Sequence, residues 1–320
     1  MCIRDRKSAE WGTSEREAAL PNQGEPPEVL TDWTFESGMP VNRTPKLYIG
    51  GKQVRPSSGY TRSILAPDGQ LVGHVGEGNR SDINKAVDSA RKAAAAWAAK
   101  SGHQRAQILY FIGENLSQRA GEIAQHLAKM TGRSGESARA AVELAISRLF
   151  TYGAWADKAG GVVQEVHQGG LSISLREPLG VIGITCPTEY PLLACVSLIA
   201  PAVARGNAII VVPSDRYPLA VMDFVQVLET SDLPPGVINV VTGDRAVLSR
   251  ALVEHDDVDG IWYFGDRTGL YHIDRLAAPS LKRTWGDYSP VRDWVNPEQG
   301  EGDLFLRMST RLKSIWIAEN

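Results

Sequence analysis

The chain has 320 residues, 43% of them hydrophobic and 22% charged, with a formal net charge of -3. This is the balance of an ordinary globular protein of one large or two modest domains, and it gives no electrostatic reason to bind nucleic acid. The longest apolar stretch, Pro191 to Ala204, falls short of the ~20 residues that span a bilayer. Three cysteines (Cys2, Cys186, Cys195) cannot build a disulfide framework and no secretory apolar segment follows Met1, so a reduced, cytoplasmic setting is expected.

Residues 1–45 are polar and punctuated by Pro21, Pro26, Pro27 and Pro40, and they read as a linker or extended arm. Trp11, Trp33 and Phe35 leave open that part of it lies along a surface. Leu47 to Ile49 with Gly50-Gly51 reads as a strand and tight turn, and Thr61 to Leu65 and Leu71 to Val75 as further strands around Pro67-Asp68-Gly69. Four helices follow. Ser81 is placed as the cap of the first, which carries Ile83, Val87, Ala90, Ala94 and Trp97 on one face. The others run near Arg105 to Arg119, Gly121 to Met130 and Glu136 to Lys158. No His or Tyr on them has a partner at catalytic spacing, so His103, His126 and Tyr110 are expected at the surface or in ordinary packing.

Val162 to Val166 and Leu171 to Leu175 alternate around His167-Gln168-Gly169-Gly170, predicting a β-hairpin over 162–176 with Leu171, Ile173 and Leu175 on one face. A two-stranded hairpin is marginal in water, so that face needs a partner. From Pro178 the pattern becomes strand (Val181 to Thr185), turn, apolar helix (Leu192 to Ala204), Gly206, strand (Ala208 to Val212). That is a βαβ unit with buried parallel strands. Strands at Val237 to Val241, Ile261 to Phe264 and Lys282 to Trp285, with helices between them, complete an α/β, doubly wound parallel sheet. In such sheets ligands bind beyond the strand ends, which singles out the loop Cys186 to Tyr190.

The order P-L-G-V-I-G, then P-x-x-Y-P, P-A-V-A-R-G-N-A-I-I, P-S and L-P-P-G-V-I-N-V-V-T-G-D resembles the Rossmann-like cofactor domain of the aldehyde dehydrogenase superfamily, over roughly Lys46 to Pro290. The resemblance implies an NAD(P)-dependent oxidoreductase acting on aldehydes, with a cysteine nucleophile, an asparagine holding the oxyanion and a glutamate base. Matched to those motifs, the asparagine of Pro-Trp-Asn-Phe-Pro becomes Glu189, and the base of Glu-Leu-Gly-Gly-Lys-Ser-Pro becomes Thr284. An amide donated to an oxyanion is worth ~3 to 4 kcal/mol, whereas an ionised carboxylate cannot donate and repels that charge. A Glu189 held neutral as a donor is the less favoured reading; a loop or helix-entry carboxylate is preferred. No cysteine follows Cys195. Cys186, at a strand end, is the one conceivable substitute nucleophile, against the commoner state of a buried inert thiol.

The cofactor landmarks are eroded in the same way, so the matching positions Pro187, Pro213, Ser214, Asp215, Gly243, Gly265 and Asp266 are read as vestigial. Lys-Pro-Ser-Glu becomes Val212-Pro213-Ser214-Asp215, which loses the ribose lysine, and the Gly-Ser of the pyrophosphate helix becomes Gly265-Asp266. An Asp at that position caps the helix itself and repels a phosphate. No metal site is assigned and no bound cofactor is expected, with NAD or NADP as the candidates if binding is retained; Trp262 and Trp285 are expected near the pocket.

About thirty residues follow Pro290, with a helical patch at Leu304 to Arg311 and a strand at Ser314 to Ile317. The family's catalytic domain needs more room than that. The whole is similar to the extra C-terminal domain, Rossmann-like with a β-flap, of the extended family-sixteen aldehyde dehydrogenases. The resemblance implies a noncatalytic fragment of a longer protein that docks on an aldehyde dehydrogenase catalytic domain in cis or in trans and forms a homo-oligomer. The hairpin and the last strand are both expected to contact that domain.

Overall fold

The computed structural model describes residues 44–158, 160–165, 170–288 and 291–317. The expected arm, the hairpin turn at His167 to Gly169 and Ser289-Pro290 lie outside the described residues.

Two cores sandwich one sheet, and the alternation of the strands builds both. Strands β1 (Leu47–Ile49) and β2 (Lys52–Val54) pair antiparallel at one margin. The parallel body consists of β7 (Val181–Thr185), β8 (Ala208–Val212), β9 (Ile238–Val240), β10 (Gly260–Tyr263) and β11 (Arg283–Trp285), in the order β11-β10-β7-β8-β9-β1-β2. Along β8, Ala208, Ile210 and Val212 enter one core while Ile209 and Val211 enter the other, as a period of two requires. One layer holds α1 (Arg80–Ala99), α7 (Arg245–Glu254) and α8 (Arg267–Ala277); the other holds α2 (Gly102–Gln118), α3 (Ala120–Thr131), α4 (Gly135–Ala156), α5 (Pro191–Ala204) and α6 (Leu219–Leu228). The chain winds outward from β7 through β8 and β9, then crosses back to β10 and β11. The order therefore reverses between β7 and β10.

The cap of α1 is Asn79, not Ser81. Asn79 Oδ1 accepts from the Ser81 N–H at 2.9 Å while Asp82 Oδ2 accepts from the Asn79 N–H at 3.1 Å, a reciprocal box that a serine two residues later cannot make. Helix α5 is buried on every face, which is why its sequence shows almost no polar side.

A separate pair, β3 (Thr61–Leu65) and β4 (Leu71–Gly76), packs beside the body. The predicted hairpin is β5 (Val162–Glu165) and β6 (Leu171–Pro178), but it is not two-stranded. The last strand, β12 (Thr310–Ile317), runs eight residues and pairs antiparallel with β6 along its whole length, from Thr310 opposite Pro178 to Ile317 opposite Leu171. One edge of β12, which contains the edge strand read at Ser314 to Ile317, pairs with this chain's own hairpin. Directly opposed residues point to the same face, so Ile315, Ile317 and Val163 join Leu171, Ile173 and Leu175 in one apolar field. Leu171 is 46% exposed and Ile317 50%, and among the described residues no helix covers them.

Between β11 and β12 the chain forms a strap containing two short helices, α9 (Pro297–Gly300) and α10 (Asp303–Met308). Trp294 and Phe305, each 1% exposed, anchor it. Buried Arg148 of α4 donates to Ser197 Oγ and to the Trp294 carbonyl and faces Glu301 at 3.8 Å. Asn207 ties three segments together: its Nδ2 donates to the Ala202 and Ser309 carbonyls, each at 2.9 Å, and its Oδ1 accepts from the Gly180 N–H at 3.0 Å.

Candidate functional site

A cavity of about 440 Å³ opens beyond the carboxyl ends of β7, β10 and β11, at the point where the strand order reverses. Three loops build its walls. After β7 come Pro187, Thr188 and Glu189; after β10, Phe264, Gly265, Asp266 and Arg267; after β11, Asp287, Tyr288, Val291, Arg292 and Trp294, with Arg245 reaching in from the start of α7.

The first wall depends on an unusual backbone. Tyr190 sits at φ 50°, a left-handed conformation that costs a non-glycine residue energy, and its ring lies under the Arg133 guanidinium at 3.9 Å. This turn ends β7, starts α5 at Pro191 and leaves Glu189 exposed at the cavity rim. Cys186 lies behind the loop with its side chain fully buried. Its sulfur meets that of Cys195, whose thiol is pushed well up by burial and by that contact. Neither sulfur lines the cavity.

At the second wall Asp266 caps α8. Its Oδ1 accepts from the Gly269 N–H at 2.8 Å, and this bond holds the carboxyl below its ordinary acidity constant. The Tyr263 ring packs against Gly265 and Gly269, where an added Cβ would collide with the phenol and force the ring to shift. The Tyr263 hydroxyl donates to Asp266 Oδ2 at 3.2 Å, and burial, then Asp266, raises the phenol to about 12.

The third wall is aromatic. Arg292 grips Asp287 with Nε at 3.0 Å and Nη2 at 2.6 Å, and its guanidinium carbon lies 5.3 to 5.7 Å from the rings of Phe264, Trp285, Trp294 and Phe305. Phe264 and Trp285 meet edge to face at 5.0 Å. Trp262 and Trp285, expected beside the pocket, lie beneath this layer, and Trp294 lines the cavity instead.

Of the positions singled out in the sequence, Pro187, Glu189, Gly265 and Asp266 come together here and the rest do not. Thr284 is mid-strand in β11 opposite Ile261. Ser214 turns inward, its Oγ accepting from the Arg216 N–H at 3.2 Å, and Pro213 is buried beside it. Asp215 accepts from the Arg245 N–H at 2.9 Å and faces the Arg245 guanidinium at 3.6 Å, while burial raises its carboxyl. Gly243 packs against Gly78, where a Cβ would meet the carbonyl oxygen at 2.8 Å. Sequence reasoning missed Arg245, Arg292, Phe264 and Trp294. Arg245 carried a signal, since it follows the Gly243-Asp244 turn into α7; Arg292 carried none, because its partners meet only when the strap folds back.

A doubly wound sheet with its crevice at the strand reversal defines a dinucleotide-fold protein of the Rossmann type. Residues 54–287 match the model of the aldehyde dehydrogenase family, and the chain belongs to that family. It is 31% identical over 253 residues to an aldehyde dehydrogenase of Agaricus bisporus, covering 77% of this chain and 51% of that protein. It is 33% identical over 242 residues to the mitochondrial aldehyde dehydrogenase family 2 member B4 of Arabidopsis thaliana, covering 74% and 45%. Among solved structures, the NAD+ complex of a Bacillus cereus aldehyde dehydrogenase superposes with a TM-score of 0.73 at 26% identity, over 76% of this chain and 50% of that one. The chain thus spans about half the length of the relatives it matches. Among the described residues no helix is long and apolar enough to cross a membrane.

Proposed function

We propose that the chain is a noncatalytic member of the family, a scaffold module that supports an aldehyde dehydrogenase catalytic unit in cis or in trans. The observation that carries this reading is that the chain's own groups take the contacts a cofactor phosphate would need at the edge of the cavity. The Asp266 carboxylate takes the α8 N–H that a phosphate would need, and Phe264, Trp294 and the Arg292–Asp287 pair wall the space beyond it. At the positions matched to the oxyanion donor and the base stand an exposed carboxylate, Glu189, and a mid-strand threonine, Thr284. The residues present do not fit NAD or NADP.

On this reading the chain corresponds to the extra C-terminal domain of the family-sixteen enzymes, with the three-stranded sheet as the β-flap whose apolar face meets the catalytic unit. On this reading the protein works in the reduced, cytoplasmic compartment its thiols suit, as part of a homo-oligomer of a longer polypeptide. Titration calorimetry with NAD and NADP, together with an assay of aldehyde-dependent NAD reduction, tests the reading. The expected result is no binding tighter than about millimolar, ~4 kcal/mol, and no turnover. Turnover that persists through controls for contaminating activity would sink it.

Two alternatives each have an observation in their favour. The remaining 440 Å³, bordered by Arg245 and Arg267, favours nucleotide binding without chemistry, which the same calorimetry would reveal. The relatives' names, aldehyde dehydrogenases, and the NAD+ complex of the Bacillus cereus enzyme favour an active NAD(P)-dependent oxidoreductase acting on aldehydes, which in this chain would have to use Cys186. Burial of both sulfurs opposes it, and a Cys186 that labels no faster than an ordinary thiol, with Cys186→Ala neutral, would remove it.

A further inference from the structure

The amino ends of the parallel strands, at the end of the sheet away from the cavity, gather four arginines. Arg205 caps the carboxyl end of α5, and Gly206-Asn207 lead from it into β8. Through Asn207 this turn is bonded to Gly180, just ahead of β7, and to Ser309, just ahead of β12. Arg283, the first residue of β11, donates through Nη1 to the neighbouring Thr310 carbonyl. Arg105 comes in from the start of α2, with Nε on the Ala204 carbonyl at 2.9 Å and Nη1 on the Ala98 and Lys100 carbonyls. Arg176 completes the group from β6, where it opposes Leu312 and stands on the face away from Leu171, Ile173 and Leu175.

Of these four side chains Arg205 is the one whose burial and bonding disagree. It is 8% exposed, yet its Nε and Nη1 are buried without a hydrogen-bond partner among the described residues. A guanidinium keeps its charge at neutral pH, and taking that charge out of water without a counter-charge is strongly unfavourable. The carboxylate that acts on it, Asp303, is already bonded to Arg307 at 2.8 Å. Burial draws Arg205, Arg283 and Arg105 below the ordinary arginine value, and like charge adds to it: Arg176 acts on the first two and Arg205 on the third. We propose that Arg205 and Arg176 hold a small oxyanion of the phosphate class, which supplies the buried guanidinium with acceptors that the chain itself does not. Such an ion has oxygens for both unmet N–H groups and charge enough for both arginines. Arg105 and Arg283 are committed to backbone carbonyls and contribute field, while Arg176, exposed on β6, marks the side from which the ion enters. The site lies at the opposite end of the sheet from the cavity, so it stands or falls independently of the noncatalytic reading.

Calorimetry and thermal denaturation of the full chain with inorganic phosphate test the proposal, against sodium chloride at matched ionic strength. Phosphate at about ten times its Kd should raise the thermal midpoint by roughly 2 to 5 °C beyond the effect of chloride. Arg205→Met keeps the bulk of the stem without the charge and should abolish that rise. Arg176→Gln, at an exposed position, should weaken phosphate binding about tenfold with the midpoint in phosphate-free buffer unchanged. Arg245→Gln, in the cavity, should leave the phosphate response as in wild type, which separates this site from any phosphate held at the other end of the sheet. A wild-type chain that responds to phosphate no more than to chloride overturns the proposal, as does a response that survives Arg205→Met or is lost with Arg245→Gln. Should Arg205→Met fail to fold, Arg176→Gln decides, and undiminished phosphate affinity in that variant overturns the proposal.

Discussion

At the residue scale, two side chains show how much one group can do here. Asp266 holds the α8 N–H groups, and Asp266→Ala should cost about 1 kcal/mol, read as a thermal midpoint lower by roughly 2 to 4 °C. Because the folded carboxyl titrates below its unfolded value, this contribution is present above the ordinary Asp range near about 3.9 and is lost as pH falls through the lowered value. The difference between wild type and variant should therefore shrink in acid, and a gap independent of pH would contradict the cap as its cause. Arg148 acts differently. Replacing it with Met keeps the packing but leaves the buried Trp294 carbonyl without its donor, at a cost of about 1 to 3 kcal/mol, with faster amide exchange expected between residues 291 and 309. Asp266 was legible in the sequence because a Gly-Asp step before an amphipathic helix announces a cap. Arg292 was not, since nothing near it in sequence forecasts its four aromatic neighbours or the fork onto Asp287.

At the scale of elements, periodicity recovered almost every strand and helix of the parallel body, because each buries a face whose spacing is written in the local sequence. The strap resisted that treatment. The helical patch read at Leu304 to Arg311 overlaps α10, but four-residue α9 is too short to show a period, and the strap is held by Trp294 and Phe305 inserted against α4 and α5. Trp294→Ala should cost about 3 to 5 kcal/mol by opening a cavity under the aromatic wall. Proteolysis is expected to cut first within the strap in that variant, and cleavage starting in α8 or β10 instead would show that the wall depends on other contacts. The hairpin was legible as a pair but not as part of a triplet. The partner of β6 comes from the far end of the chain, and pairing between strands is not encoded by the period of either one.

At the scale of the molecule, the parallel body and the three-stranded sheet answer to different forces. The body buries its strands on both faces, while Leu171, Leu175, Ile315 and Ile317 on the smaller sheet remain 37% to 50% exposed. The combined change Leu171→Ser, Ile173→Thr, Leu175→Ser should therefore leave the main thermal transition within about 2 °C of wild type while improving solubility and weakening docking of a catalytic unit. Cooperative loss of the whole fold would instead make the row ordinary core. The fold class was readable because the landmark turns follow one another in order. The altered crevice was half readable, from substituted positions alone, because its aromatic wall depends on a chain reversal beyond the last landmark. The pairing of β12 with β6 also has a consequence in time. Lys313 and Glu177 are 136 residues apart in the chain, so closing that sheet has a large entropy cost until the parallel body has brought β6 and the end of the strap together. The β5–β6 hairpin can flicker early on its own, but β12 is expected to join last, so a nascent chain still short of Ile317 would carry an open edge on β6 where a chaperone, or another nascent chain, could bind first.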